Sequence, residues 1–89
     1  MIGVYILQSL KNGTYYIGST NDIDRRLIQH EKGFVKSTRN ILPVELKLFC
    51  GYDNLKLARQ IEFRIKKLKR RDIIEKMIKN QKISISIDQ

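Results

Sequence analysis

The stretch YYIGSTNDIDRRLIQH, Tyr15–His30, decides how this chain folds. Its first residues are aromatic and β-branched, which favours a strand, and Gly18 interrupts that pattern. Asn21 or Asp22 can then cap a helix that we expect to run to about Glu31. A strand that passes through a glycine into a capped helix fixes side chains on two elements and leaves room between them. Such a junction is a suitable place for a site.

The residues before this stretch predict a β-hairpin. Gly3–Ser9 is rich in β-forming residues, Asn12 and Gly13 form a strong turn signal, and Thr14–Ser19 is the return strand. If Asn12 and Gly13 are the two turn residues, odd positions of the first strand share a face with even positions of the second. The positions predicted to share that face are Tyr5, Tyr16 and Gly18. A two-residue turn leaves the tyrosines offset along the ladder, and a longer loop or a bulge is needed to bring them together.

The helix of the opening stretch combines apolar and polar residues on one face. Ile23, Arg26, Leu27 and His30 follow the i, i+3, i+4, i+7 rule. Arg26 and His30 therefore lie beside the stripe that packs on the sheet. On the residues alone, Arg26 is equally well explained as a solvated arginine whose stem covers the core edge. His30 is the one histidine of the chain, and a lone helical histidine is more often structural than catalytic.

Downstream, the sequence predicts a basic connector, a third strand, two helices and a tail. In chain order, the first four are Lys32–Leu42, Val44–Tyr52, Leu55–Lys69 and Arg70–Asn80. Asp53 or Asn54 can cap the first of these helices, and Asp72 the second. The alternation of isoleucine in Ile83–Ile87 predicts a short strand at a sheet edge or across a dimer. The order β-β-α-β-α-α predicts an α+β fold, with a small three-stranded antiparallel sheet flanked by helices.

The helix Leu55–Lys69 carries a carboxylate at the edge of its apolar stripe. That stripe consists of Leu55, Ala58, Ile61, Ile65 and Leu68. Glu62 lies on its margin, while the exposed positions carry Arg and Lys. A carboxylate at a core edge needs a partner, which is an arginine, another hydrogen-bond donor or a metal. On the residues alone, an ordinary salt bridge is the simplest explanation of Glu62.

Length and composition fit one folded domain. The 89 residues have 42% hydrophobic and 30% charged content, which argues against disorder. We expect a single domain over 1–89, with its core at about 3–80 and a tail at 81–89. No apolar run approaches the ~20 residues of a membrane span, and no signal-peptide pattern is present. The single Cys50 excludes an internal disulfide and a multi-cysteine zinc site. These features predict a cytoplasmic protein.

The charge balance points to a polyanionic partner. Eighteen Lys and Arg residues against nine Asp and Glu give a net charge of +9. Such a field attracts nucleic acid. A solubilising surface explains the charge alone equally well.

Two triplets, GVY at 3–5 and YIG at 16–18, resemble the signature triplets of the GIY-YIG nuclease superfamily. Arg26 lies eight residues after the second triplet, where the superfamily places its arginine. His30 follows where members carry His or Tyr, and Glu62 lies where they carry a metal-binding glutamate. The resemblance covers 3–69 and is closest to small single-domain members.

The resemblance implies a metal-dependent endonuclease that hydrolyses phosphodiester bonds in DNA, with low sequence specificity or a preference for a DNA structure. It implies that Glu62 holds Mg²⁺, with Mn²⁺ as an alternative, and that Arg26 grips the phosphate. Tyr5 would activate the attacking water, His30 would take or relay the proton, and Tyr16 would hydrogen-bond to the phosphate or the water. The alternative is a DNA-binding module of the same fold with weak or no turnover, acting within a complex.

The same resemblance and the basic charge suggest further contacts to DNA. The residues expected to make them are Gly18, Ser19, Arg25, Lys36 and Arg39. Ser19 stands where some members carry a lysine directly after YIG, which leaves more of the tyrosine activation to His30. Ile74 stands near the spacing at which several members carry a polar residue, often Asn. We recognise no appended recognition domain, so a protein partner or a homodimer would supply any specificity beyond a weak one.

Overall fold

The computed structural model of this chain describes residues 1–84, in which three strands form one antiparallel sheet of order β2-β1-β3. The strands are β1 (Gly3–Ser9), β2 (Tyr15–Thr20) and β3 (Val44–Gly51). The helices are α1 (Ile23–Glu31), α2 (Lys36–Arg39), α3 (Leu55–Leu68) and α4 (Arg71–Asn80). The predicted α+β class and its antiparallel sheet with flanking helices are confirmed. The short α2 lies in the connector that we expected to be irregular.

The hairpin has the face sharing that the sequence predicted. Tyr5 pairs with Gly18 and Leu7 pairs with Tyr16, so Tyr5, Tyr16 and Gly18 lie on one face of the sheet. The two tyrosines are neighbours along that face, and their ring centroids are 6.2 Å apart.

The hairpin loop is longer than the two-residue turn considered for the sequence. Ser9 N donates to Thr14 O at 2.8 Å, and Gly13 N donates to Ser9 O at 2.9 Å. Gly13 has a φ of 78°, while the side chain of Asn12 accepts from Thr14 N at 3.0 Å. The Asn12–Gly13 turn signal therefore corresponds to one glycine in the left-handed conformation and one side-chain hydrogen bond. The longer loop is what brings Tyr16 closer to Tyr5 along the ladder.

The hydrophobic core lies on the opposite face of the sheet, under α3 and α4. Its buried members are Val4, Ile6, Ile17, Leu48, Ala58, Ile61, Ile65 and Met77. Ile73, Ile74 and Ile78 pack against this cluster. The prediction that Leu68 belongs to the buried stripe is wrong, because Leu68 is 41% exposed. The helix ends there, and Lys69 turns the backbone with a φ of 52°.

Side-chain caps begin two of the helices. Asp22 accepts from Arg25 N at the start of α1, and Asn54 accepts from Leu57 N at the start of α3. The expected Asp72 cap is wrong. Arg70 holds the N-cap position of α4 without a side-chain bond, and Asp72 lies inside the first turn, where its carboxylate pairs with Arg70 at 2.7 Å.

The tail of the chain is placed only in part by the described residues. The predicted strand over 83–87 falls largely outside residues 1–84, in which Ile83 packs against the core. Cys50 is partly buried on β3 and is a free thiol. Among the helices of this described part, none is long and apolar enough to cross a membrane.

Candidate active site

Tyr5 is the centre of the face that α1 covers. Its side chain is fully buried, and its ring lies over Gly18. A Cβ on residue 18 would lie 2.5 Å from the Tyr5 oxygen and 2.6 Å from its Cζ. We expected Gly18 to leave room between the strand and the helix and to contact DNA. The space is instead filled by Tyr5, and the absence of a side chain at 18 is what allows the phenol to lie there.

A chain of hydrogen bonds runs through Tyr5. Its hydroxyl lies 2.8 Å from His30 Nε2, and the other ring nitrogen of His30, Nδ1, lies 2.7 Å from Thr38 Oγ1. Arg26 Nε–H donates to the same Tyr5 oxygen at 3.2 Å. Because Arg26 can only donate, we assign the Tyr5 proton to the bond with His30 Nε2 and the His30 proton to Nδ1, which donates to Thr38.

Burial and charge set the protonation of this chain. Burial raises the pKa of Tyr5 to about 12, against the lowering effect of its bond with Arg26. Burial and the nearby Arg26 cation lower the pKa of His30 to about 4. At neutral pH Tyr5 is therefore a phenol and His30 a neutral imidazole. The sequence placed His30 beside the apolar stripe of its helix, and in the structure His30 is fully buried.

Arg26 links this buried chain to the surface. It is half-buried, and its bond to Tyr5 raises its pKa further, so it stays a cation. One terminal nitrogen, Nη1, donates to Gln29 Oε1 at 3.1 Å. Arg26 also lines a polar groove at the end of β2, which leaves its guanidinium accessible to an anion.

Tyr16 packs against the same cluster. Its ring centroid lies 5.2 Å from that of His30 in an edge-to-face arrangement. The ammonium of Lys66, on α3, lies 5.7 Å from the Tyr16 centroid. Tyr16 therefore joins the buried cluster of α1 to the side chains of α3.

Glu62 lies beyond the edge of β2, on the α3 side of the sheet. Its Oε1 accepts from the Ser19 hydroxyl, and its Oε2 accepts from Lys66 Nζ at 2.6 Å. The Glu62 side chain is 19% exposed and that of Lys66 is 48% exposed. Glu62 thus has the salt bridge that the sequence suggested, and a hydroxyl partner besides.

Three arginines surround the groove at the end of β2. The groove is lined by Ser19, Asn21, Arg25, Arg26, Gln29 and Arg59, among others. Arg25 donates to Asn21 Oδ1 at 3.0 Å. Of the predicted DNA contacts, Ser19 and Arg25 thus join the groove. Lys36 and Arg39 lie outside it, exposed on α2, where Arg39 Nε donates to Gly33 O at 2.9 Å.

The two triplets, Arg26, His30 and Glu62 are thus gathered around the β1–β2 hairpin, and residues 1–81 match the GIY-YIG catalytic domain. The chain belongs to the GIY-YIG family. This is a family of nucleases, and the resemblance seen in the sequence is confirmed.

Several UPF0213 proteins align over most of the chain. A UPF0213 protein of Halobacterium salinarum is 40% identical over 68 residues, which cover 75% of this chain and 87% of that protein. A UPF0213 protein of Streptococcus pneumoniae serotype 4 is 38% identical over 79 residues, which cover 88% and 79%. The solution NMR structure of the UPF0213 protein BH0048 from Bacillus halodurans, 29% identical, superimposes with a TM-score of 0.55 over 91% of this chain and 86% of that one.

GIY-YIG nucleases are generally metal-dependent, and Glu62 offers a suitable donor. Within residues 1–84 no three His, Cys, Asp or Glu side chains converge as a metal cluster. Mg²⁺ is commonly held by one or two carboxylates together with waters and substrate phosphates. A partly exposed carboxylate whose other partners are a hydroxyl and a surface lysine fits that mode of binding.

Sequence reasoning missed three residues of the candidate site. Thr38 orients His30 from the connector, Lys66 pairs with Glu62, and Arg59 lines the groove. The i, i+4 spacing of Glu62 and Lys66 is a visible signal for their pairing. No local pattern marks Thr38, because its partner lies in another element.

Proposed function

We propose that this protein is a metal-dependent DNA endonuclease that hydrolyses phosphodiester bonds, with low sequence specificity or a preference for a DNA structure. The observation that carries the proposal is the hydrogen-bonded chain from Arg26 through Tyr5 and His30 to Thr38, in a chain of the GIY-YIG family. It places an anion-binding cation, a hydroxyl and a neutral imidazole in contact beside a surface groove.

Tyr5 and His30 form a proton relay for the attacking water. Because the Tyr5 side chain is fully buried, this transfer needs a shift of Arg26 that uncovers the Tyr5 oxygen when the phosphate binds. As water attacks phosphorus, its proton then passes to the Tyr5 oxygen, and the Tyr5 proton passes to His30 Nε2. In the resting protein the pKa values of about 12 and about 4 oppose this second transfer. Burial favours the neutral phenol and the neutral imidazole, so the phenol holds its proton until substrate is bound.

Arg26 couples the relay to substrate binding. Its charge is one cause of the low pKa of His30, and it lines the groove that a phosphate would enter. A phosphate paired with Arg26 offsets this charge, so the pKa of His30 rises and the imidazole becomes a better base. The same guanidinium stabilises charge that develops on the phosphate oxygens in the transition state. Tyr16, beside His30, donates a hydrogen bond to the phosphate or the water.

Glu62 would hold the divalent cation, Mg²⁺ or Mn²⁺. When bound, such an ion polarises the scissile phosphate and stabilises the leaving oxygen. Ser19 fixes the orientation of the carboxylate through its hydroxyl. Lys66 pairs with Glu62 and lies beside Tyr16, so a divalent cation held by Glu62 would take the place of this ammonium.

The basic surface supplies DNA contacts that carry no sequence information. A net charge of +9 and an arginine-lined groove favour binding to the phosphate backbone, which weakens as salt is added. A structure-targeted or partner-directed activity in the cytoplasm is consistent with such contacts.

The test is incubation of plain duplex, flapped and branched DNA with Mg²⁺, with Glu62→Gln and Tyr5→Phe beside the wild type. We expect wild type to cut at least one substrate, EDTA and Glu62→Gln to abolish cutting, and Tyr5→Phe to slow it by about 10²–10⁴-fold. If wild type shifts every DNA on a gel but cuts none, the protein is a binding module and the enzyme proposal fails. If Glu62→Gln cuts as well as wild type, the metal assignment fails.

A further inference from the structure

Strand β2 lies at an edge of the sheet, because β1 is its neighbour on one side and the order is β2-β1-β3. Two clefts open along this edge. The first is the arginine-lined groove already described, which we name the Arg59 cleft; β2 contributes Ser19 and Thr20 to it. The second, the Lys69 cleft, lies toward the other end, where β2 contributes Tyr15 to Ile17. The clefts therefore follow one another along the strand.

The candidate catalytic residues are divided between the two clefts. Arg26 lines the Arg59 cleft, and Tyr16 lines the Lys69 cleft. Ser19 and Lys66, which line one cleft each, are both bonded to Glu62. A phosphate that reaches both Arg26 and Tyr16 must therefore lie where the clefts meet. The DNA strand that carries this phosphate must then continue into both clefts.

The Arg59 cleft has cations that are available to an anion. Arg25 is bonded to the neutral side chain of Asn21. Arg59 is exposed and has no ion pair in the described part of the chain. No Asp or Glu among residues 1–84 lines this cleft. Its charge is therefore not offset from within.

The Lys69 cleft is basic as well. Lys69 forms no ion pair with any residue in 1–84. Arg70 and Arg71 also line the cleft, although each is paired with a carboxylate of α4, Asp72 or Glu75. Lys69 is therefore the cation of this cleft that a phosphate can neutralise without breaking another ion pair.

We propose that one strand of the DNA runs along the outer edge of β2, with backbone phosphates held by Arg25 and Arg59 on one side of the cleaved bond and by Lys69 on the other. The inference deepens the proposed endonuclease function and rests on it. The six residues of β2 span roughly 20 Å. A DNA strand that follows this edge places consecutive phosphates along it, so a few nucleotides reach from one cleft to the other.

A protein strand that pairs with the edge of β2 is the competing occupant, because an edge strand offers unpaired backbone groups. The cations at both ends and the net charge of +9 favour a polyanion instead. The two occupants make different demands on these side chains. A protein strand that pairs with the backbone of β2 needs neither Arg59 nor Lys69. A DNA strand, by contrast, loses one phosphate contact when either side chain is replaced.

The test measures binding of fluorescein-labelled single-stranded DNA of 3 to 15 nucleotides in EDTA, by fluorescence anisotropy. The variants are Arg59→Glu, Lys69→Glu and their double. Lys76→Glu is the matched control, because Lys76 is exposed on α4 and lines neither cleft. Circular dichroism and thermal unfolding establish that all four variants are folded.

On long DNA we expect Arg59→Glu and Lys69→Glu each to weaken binding by about tenfold at low salt, and to reduce the slope of log K against log salt by about one. The double variant should lose about a hundredfold, and Lys76→Glu less than about threefold. Wild-type affinity should rise steeply with length until the DNA reaches both clefts, and more slowly beyond that. A trinucleotide cannot span both clefts, so its loss of affinity in the double variant should be smaller than the product of the two single losses.

The inference is overturned if Lys69→Glu weakens binding no more than Lys76→Glu, or if the losses on long and short DNA are the same. In that case, a wild-type protein that still cuts DNA in Mg²⁺ leaves the endonuclease proposal intact. Conversely, length-dependent losses in a protein that cuts nothing support the DNA path along β2 and contradict the enzyme.

Discussion

The Tyr5 ring and Gly18 are cross-strand partners in van der Waals contact, and the ring covers the glycine. The contact fixes where the phenol points. Tyr5 cannot move away from residue 18 without losing its bonds to His30 and Arg26. The occurrence of a glycine at position 18, opposite Tyr5, thus has a direct steric explanation.

Gly18→Ala should therefore destabilise the protein and disturb the relay together. A Cβ would lie 2.5 Å from the Tyr5 oxygen, and overpacking of this kind costs roughly 1–3 kcal/mol. Urea unfolding measures the loss. Gly51→Ala is the control, because its nearest contact would be Met1 Cε at 3.6 Å, and we expect a change within about 0.5 kcal/mol. Equal losses in both variants would contradict the steric account.

Tyr5→Phe should separate catalysis from binding. The substitution keeps the ring over Gly18 and removes the hydroxyl that bridges Arg26 and His30. We expect DNA cleavage to fall by about 10²–10⁴-fold and DNA affinity to change less than about threefold. Single-turnover cleavage and anisotropy are the measurements. Tyr52→Phe, in a tyrosine outside the cluster, should cleave at the wild-type rate, and a loss in both variants would point to folding rather than to the relay.

Acid should destabilise the fold through His30. Its pKa of about 4 in the folded protein lies below the ordinary value of ~6.5, so the unfolded state binds the extra proton first. Stability from this group is complete above pH ~6.5 and is lost as the pH falls toward ~4, by roughly 1–3 kcal/mol. Urea unfolding between pH 4.5 and 7.5 measures this. The His30→Gln variant keeps the titrating carboxylates and should lack this component; the same pH slope in both proteins would refute it.

Lys66→Met should strengthen metal binding at Glu62. The ammonium occupies Oε2 of the carboxylate at 2.6 Å, so a divalent cation must displace it. Exposed ion pairs are weak, which limits the gain in Mn²⁺ affinity to roughly two- to fivefold. Electron paramagnetic resonance titration of Mn²⁺ measures it without DNA.

Lys67→Met provides the matched comparison, because the next lysine of α3 has the same charge but lies over Phe63, 5.8 Å from its ring centroid. A similar gain in Mn²⁺ affinity in both variants would indicate a general charge effect. No gain in Lys66→Met would show that this lysine does not compete with the metal for Glu62.

The sequence predicted some parts of the site because their causes are local. The i, i+7 spacing of Ile23 and His30 placed the histidine toward the sheet. The two-residue period of strands placed Tyr5 and Tyr16 on one face, although the turn was longer than its Asn-Gly signal suggested. The predictions of an Asp72 cap and of a buried Leu68 were wrong. Both concern helix ends, where a shift of the boundary by one residue changes which groups are paired.

By itself, the sequence determined the order of the strands and of the helices other than α2, the face that carries Tyr5 and Tyr16, and the family. Strand and helix periods and motif spacing are properties of neighbouring residues. Only the tertiary structure decided that Thr38 orients His30, that Ser19 and Lys66 share Glu62, and that Tyr5 fills the space at Gly18. It also decided the protonation of the relay, since the pKa values of Tyr5 and His30 are shifted mainly by burial. Burial depends on contacts between distant segments, and no local pattern contains it.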